Sequence, residues 1–281
     1  MSNLRTGAGK RSVQWTLLIL AVLLSCLPVL VLVVSSFKLE SQIFTFRPVV
    51  LFRPHISAYL FLVDKFPQFF RTLLNSTIVT LGACAAVLAI SIPAAYSYSR
   101  LFSRRRARSS YYLIAVRMFP PIIILIPLYP ALRAIGLLDT YISLIVVYAA
   151  FQVSLSTMIL KSFLDGVPRE LDEQTYIDGC TRLQSFWYVT LPALAPGIIS
   201  SAIFVAVFAW NDFDFAFLLT GRHTKTAAIM ISEMQGMVQE GALNYGDLFA
   251  AATIHVIPIL IFVFAVQKWM VKGFTVGAVK G

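Results

Sequence analysis

Pro168-Arg-Glu-Leu-Asp-Glu-Gln-Thr-Tyr-Ile-Asp-Gly-Cys-Thr-Arg-Leu-Gln-Ser-Phe-Trp-Tyr-Val-Thr-Leu-Pro192 lies between two long apolar runs and differs from both in composition. Counted with Asp165, it holds five of the chain's 13 acidic residues. A connection so long and so polar exceeds a simple turn, and it reads as two short helices. Pro168 suits a first helical position, and Glu170, Asp172 and Glu173 would then sit at the positive end of the helix dipole. Asp178-Gly179 stops that helix, because glycine accepts the left-handed turn. Thr181 and Gln184 have capping-box spacing and start a second helix, with Leu183, Phe186 and Trp187 expected on one face. A helical hairpin between apolar runs is shaped to touch another protein.

The runs around it are of membrane-crossing length. Among 281 residues, 58% are hydrophobic and only 13% charged, far from the balance of a soluble domain. Six blocks emerge, at 13–36, 73–99, 110–132, 141–161, 193–220 and 248–270, most of them near or above the roughly 20 residues a spanning helix requires. The expected fold is therefore all-α: one polytopic membrane domain over 1–281, with six transmembrane helices, a helical loop at 162–192 and a tail at 271–281. The first run exceeds a signal-peptide core of about 7–15 residues and no small-x-small site follows it, so it reads as an uncleaved span.

An even number of spans puts both termini on one side. That side receives 14 of the basic residues, including Arg100, Arg104, Arg105, Arg106 and Arg108, and the other side eight. The asymmetry orients the termini and the hairpin toward the cytoplasm. It also accounts for the net charge of +10 without nucleic acid as a partner. The outer segments are 37–72 and 221–247; the latter carries Gly236, Gly241 and Gly246 and shows little apolar periodicity. Pro120, Pro121, Pro127 and Pro130 crowd the third span, which is read either as a pathway-lining helix or as a packing kink.

The hairpin resembles the cytoplasmic signature loop of binding-protein-dependent ATP-binding-cassette importers, in which an EAA triplet precedes DG and LP pairs. Glu173, Asp178, Gly179, Phe186, Leu191, Pro192 and Pro196 stand where that pattern expects them, although Gln174-Thr175 replaces both alanines. Arg71-Thr-Leu-Leu-Asn75-Ser, Pro93-Ala-Ala-Tyr96, Ile126-Pro-Leu-Tyr129, Gly136-Leu-Leu-Asp-Thr140, Phe208-Ala-Trp-Asn211-Asp and Gly277-Ala-Val-Lys-Gly281 are similar to the sugar-importing branch, and within it to the permease subunit of maltose-type systems. The resemblance implies a bacterial inner-membrane protein that works with a homologous second permease, two ATPase subunits and an external sugar-binding protein. It also implies alternating access, with ATP and Mg held by the ATPase partners and no cofactor on this chain. Glu173, Asp178, Gly179, Phe186, Gly277 and Lys280 would then couple to the ATPase.

Charges inside the spans are expected to face the bundle interior, since an unpaired ion in hydrocarbon costs several kcal/mol. Arg117 is read as half of a helix-locking pair with Asp212 or Asp214, the alternative being a place on the pathway. Trp210, Asn211 and Asp212 are assigned to the substrate pathway with Arg117, because the resembling family carries an Asn-acid pair there. Trp210 and its neighbouring aromatics would otherwise be packing residues.

No phosphate-cradling GxxxxGK[ST] loop occurs, so the chain is not the ATPase of a complex and is read as a non-enzyme. His55, His223 and His255 are widely spaced, and Cys26, Cys84 and Cys180 have no CxxC spacing, so no metal is expected. His255 reads as a satisfied packing residue. The competing class is an autonomous secondary transporter or channel; a polytopic membrane enzyme is a third. Both leave the hairpin without a task.

Overall fold

In the computed structural model, the described residues are 5–47, 49–101, 113, 115, 117–118 and 120–278, the side chains of 5–12 and 266–278 excepted. They form helices α1 (Arg5–Ser35), α2 (Glu40–Ile43), α3 (Ser57–Asp64), α4 (Gln68–Arg100), α5 (Pro121–Ala134), α6 (Tyr141–Asp165), α7 (Glu170–Ile177) and α8 (Arg182–Ser185). After a π turn at Phe186–Thr190 come α9 (Leu191–Ala193), α10 (Ala195–Asn211), α11 (Asp214–Leu219), α12 (Ala227–Gln239) and α13 (Tyr245–Ala278). No strand occurs among the described residues. The chain divides into two compact units, residues 1–67 with 233–254, and residues 68–232 with 255–281.

Within the first unit, α1 is exposed until its last turn, with Leu17, Leu20, Leu24, Leu27 and Val31 all open and Ser35 buried. A helix apolar on every face is stable where hydrocarbon surrounds it. Beyond its end the chain is fastened: Ser36 donates to the Val33 carbonyl (2.7 Å) and shares a 2.6 Å hydrogen bond with Tyr59. Phe44 meets Tyr245 edge to face with centroids 4.5 Å apart.

The second unit is built on α4. Its buried residues Phe69, Thr72, Ser76, Val79, Ala83, Val87, Ser91, Ala95 and Ser99 recur at helical spacing and form one stripe. That stripe is mostly small and partly polar, whereas Leu74, Ile78, Leu81 and Ile90 are among the exposed positions. This inversion is how helices associate in lipid, where small residues permit close approach and hydroxyls bond across the interface. Ser91, for example, donates to the Val153 carbonyl of α6 at 3.2 Å. Leu125, Leu144, Tyr148, Val205 and Phe215 complete the core around α4. Close approach decides Gly197 as well: a Cβ there would stand 2.9 Å from Phe163 Cβ and Cγ, so α10 reaches α6 only through glycine.

Four helices among the described residues are long and apolar enough to cross a membrane, and a fifth arises if the pair Arg182–Ala193 and Ala195–Asn211, bent by 68°, is one span. The six blocks differ from these helices in particular places. The third block falls partly outside the described residues. Its described helix, α5, begins at Pro121 behind Pro120 and contains Pro127 and Pro130 within 14 residues. At 1.5 Å per residue that is about 21 Å, short of the bilayer core. The fifth block is broken where Asp212 turns to extended backbone between α10 and α11. The outer segment at 221–247, read as lacking periodicity, contains α12, whose Ala227, Met230, Met234 and Val238 are buried at steps of three and four. Gly236 sits inside this helix. In the tail, α13 continues through Gly273 and Gly277 to Ala278.

Candidate functional site

The hairpin at 168–192 is specified twice at its turn. Asp178 caps α7, Gly179 takes φ +84°, and the N–H groups of Gly179 and Cys180 donate to the carbonyls of Tyr176 (3.1 Å) and Thr175 (2.9 Å). This pairing closes the helix end in a left-handed cap. Two residues later the Thr181 hydroxyl accepts from the Gln184 N–H (3.4 Å), while the Gln184 carbonyl oxygen accepts from the Thr181 N–H (2.8 Å). The reciprocal bonds launch α8.

α8 then widens into the π turn, which shifts the angular spacing of the residues that follow. Leu183 and Trp187 are exposed, but Phe186 turns inward to Tyr96 of α4, with ring centroids 5.1 Å apart. The expectation of a single face for Leu183, Phe186 and Trp187 is met in part: the Phe186 and Trp187 rings meet edge to face with centroids 5.5 Å apart, while Phe186 is half-buried and Leu183 and Trp187 are exposed.

Of the three acids in the first turn, only Asp172 is buried. Its carboxylate meets Arg100 Nε at 2.7 Å, with the two side chains 9% and 7% exposed, as a charge contact rather than an aligned hydrogen bond. Its other oxygen accepts from Thr190 (2.8 Å) and Ser185 (3.4 Å). Arg100 also donates to the Val167 carbonyl, and Arg169 to the Ser99 carbonyl, both at 3.0 Å. Glu173 is exposed, as are Leu171, Tyr176, Ile177, Leu183, Trp187 and Tyr188 of the hairpin. Ile177 is 84% and Tyr188 77% exposed. The sequence reading gave Asp172 only a dipole role; the signal it lacked was Arg100, at the far end of another helix.

Inside the spans, the expected Arg117–Asp pair is not what the described residues show. Arg117 donates to Gln152 Oε1 at 3.1 Å. Asp212 accepts from the Tyr148 hydroxyl (2.8 Å) and from the Ala216 N–H (3.1 Å). Tyr148 and Gln152 lie one turn apart on α6, so that helix supplies both contacts and satisfies the arginine with a neutral amide. Sequence reasoning passed over these two residues, although two polar side chains at i and i+4 in an apolar run mark a helix face. Asp212 also closes the break in the fifth block, since its carboxylate accepts a first-turn amide of α11.

Trp210 stands apart from this cluster. It is buried, stacks on His255 (5.3 Å, 17°) and donates to the His255 carbonyl at 3.1 Å. It borders a cleft of about 340 Å³ with Thr80, Cys84, Ala206, Pro258 and Phe262. His255 was expected to be satisfied, but its Nδ1 has no hydrogen-bond partner among the described residues. Asn211 is exposed and bonds its own helix at the Val207 carbonyl (2.8 Å). Gly277 is in α13, and Lys280 lies outside the described residues. No group of three or more metal-ligating side chains gathers among the described residues.

At the end of α4 remote from the hairpin, Asn75 donates to the carbonyls of His223 (3.1 Å) and Lys225 (2.9 Å) and accepts from the Tyr141 hydroxyl (2.8 Å). Ser76 accepts from the Ala227 N–H at 2.9 Å. Asp139, with φ 56°, accepts from the N–H groups of Gly221, His223 and Thr224 and from the Thr224 hydroxyl, at 2.8–3.2 Å. Partial burial pushes its carboxyl up, but the bonds from Thr224, Gly221 and His223 outweigh that and bring it down to about 2.

Residues 87–276 match the family model described as "Binding-protein-dependent transport system inner membrane component". The chain is 32% identical over 265 residues to the trehalose/maltose transport system permease protein MalG of Thermococcus litoralis, covering 94% of each chain. It is 36% identical over 215 residues to the trehalose transport system permease protein SugB of Mycobacterium tuberculosis, covering 76% of this chain and 78% of that one. Its fold matches a chain in the crystal structure of a bacterial ABC transporter involved in import of the acidic polysaccharide alginate, with TM-score 0.76 at 20% identity over 94% of this chain and 97% of the other. A helical membrane fold, a capped hairpin and a family match through both make this chain a member of the binding-protein-dependent transport system inner membrane components.

Proposed function

We propose that this chain is the permease subunit of an ATP-driven importer that carries a carbohydrate, an oligosaccharide in particular, by alternating access. The hairpin and both termini face the cytoplasm, and the working complex contains a second, homologous permease, two ATPase subunits that hold ATP and Mg, and an external sugar-binding protein. The observation that carries this reading is the hairpin: it is anchored by a buried carboxylate yet leaves Ile177, Leu183, Trp187, Tyr188 and Glu173 exposed. Exposed apolar and acidic side chains on a hairpin tied to a span suit a protein partner. Carbohydrate as cargo is supported by the trehalose and maltose systems named among the relatives.

The test is purification from native membranes through a tag on this chain. An importer brings an ATPase subunit with it; an autonomous transporter or channel does not. In the purified complex Glu173→Ala is expected to leave assembly largely intact and to lower hydrolysis stimulated by the loaded binding protein at least five-fold. Stimulation equal to wild type removes Glu173 from the coupling contact.

A further inference from the structure

The hairpin's anchor and the opposite end of α4 belong to one continuous element. α4 runs unbroken from Gln68 to Arg100, with Pro93 accommodated inside it. At one end Arg100 holds Asp172 of the hairpin, and at the other Asn75 and Ser76 hold the backbone of residues 223–227. α6 runs beside it and is strapped at both ends: Ser99 donates to Asp165 at 2.5 Å, and Tyr141 donates to Asn75.

A buried ion pair is a poor source of stability, because desolvation cancels most of its attraction, and an apolar pair of similar volume does as well or better. What it supplies is fixed geometry. The Asp172 carboxylate touches three parts of the structure at once: the last residue of α4, the end of α8 at Ser185, and the end of the π turn at Thr190. Both limbs of the hairpin are therefore tied to α4 through one side chain. The other hairpin contacts with α4 described above each hold one limb only: Arg169, before the turn, donates to the Ser99 carbonyl, and Phe186, after it, meets the Tyr96 ring.

We propose that α4, with α6 packed along it, carries displacement of the hairpin to the loop at 221–227, and that Arg100 and Asp172 are the positioning residues that join the hairpin to it. The inference rests on the importer reading and adds to it the internal joint. Asp172 acts within the chain while Glu173, beside it, faces the partner, so neighbouring acids divide the internal and external contacts.

The experiment uses the complex co-purified from native membranes and placed in lipid nanodiscs. Cys26, Cys84 and Cys180 are replaced, and a fluorophore is attached at Arg222→Cys, an exposed site. MgATP with vanadate is the probe. Wild type is expected to change its emission on trapping. The neutral pair Arg100→Gln/Asp172→Asn breaks the ion pair and leaves no unpaired charge; it should assemble, hydrolyse ATP within two-fold of wild type, and respond at least five-fold less. A full response from that assembled double variant overturns the joint while leaving the importer intact. A wild-type preparation without ATPase overturns both. If the double variant does not assemble, Thr190→Val, which removes one neutral bond to the same carboxylate, must still halve the response, and a full response there overturns the proposal.

Discussion

Asp139 shows how much one side chain can fix. It occupies a left-handed backbone conformation that few residues other than glycine accept, which Asp tolerates better than most. Its carboxylate gathers the amides of Gly221, His223 and Thr224. A carboxylate held at about 2 in the fold and near 4 in the unfolded chain stabilises the fold fully above the unfolded value. That contribution fades as pH falls from about 4 toward 2. Stability is therefore expected to be flat with respect to this group from pH 8 to 5. Asp139→Ala should cost about 1–3 kcal/mol at neutral pH, as loss of charge-assisted bonds does, and should abolish this share of the acid dependence. Tryptophan-fluorescence melting in detergent from neutral pH down to about pH 2 measures both. The sequence could not show this, since Gly136-Leu-Leu-Asp139 is eighty residues from the amides it collects. Arg117 failed for a related reason: the reading demanded an opposite charge, whereas Gln152 offers a carbonyl oxygen from the next helix.

At the level of elements, the hairpin was legible because its turn chemistry is local. A glycine stop and a capping box lie within six residues, and each needs only its own neighbours to form. What followed was less legible, because a π turn has no local signature in Phe186-Trp-Tyr-Val-Thr190. The break after α10 is similar. Asn211 and Asp212 were read through their chemistry, while the geometric effect of Asp212, ending one helix and opening the next, depends on Tyr148 holding its carboxylate. Gly179 gives a sharp test of the hairpin. A Cβ added there meets nothing within 4 Å, so any penalty comes from backbone conformation alone. Gly179→Val is expected to cost about 1–2 kcal/mol or more, and Gly179→Asn clearly less, because Asn visits the left-handed region readily. Comparing the two in thermal melts of the purified complex separates backbone strain from loss of space; equal melts for Val and Gly would remove the left-handed cap from the explanation.

Across the whole molecule, composition revealed the environment before any contact was known. Long apolar blocks sufficed for an all-α, membrane-embedded chain. The blocks did not reveal where helices stop, because hydrophobicity alone does not distinguish a span from the helix-and-break of 195–219 or from the short α5. They also hid α12, whose buried face is interleaved with Glu233, Gln235 and Gly236. The stripe of serine, threonine and alanine on α4, turned inward while leucine and isoleucine face out, has a thermal consequence. Soluble proteins gain about 12–15 cal/mol/K per residue in heat capacity on unfolding, since melting exposes apolar surface to water. Here much of the apolar surface already faces hydrocarbon, and unfolding within a detergent micelle leaves it there. Calorimetry on the purified chain should return less than half the soluble-protein value per residue, and its stability curve should be correspondingly flat on cooling.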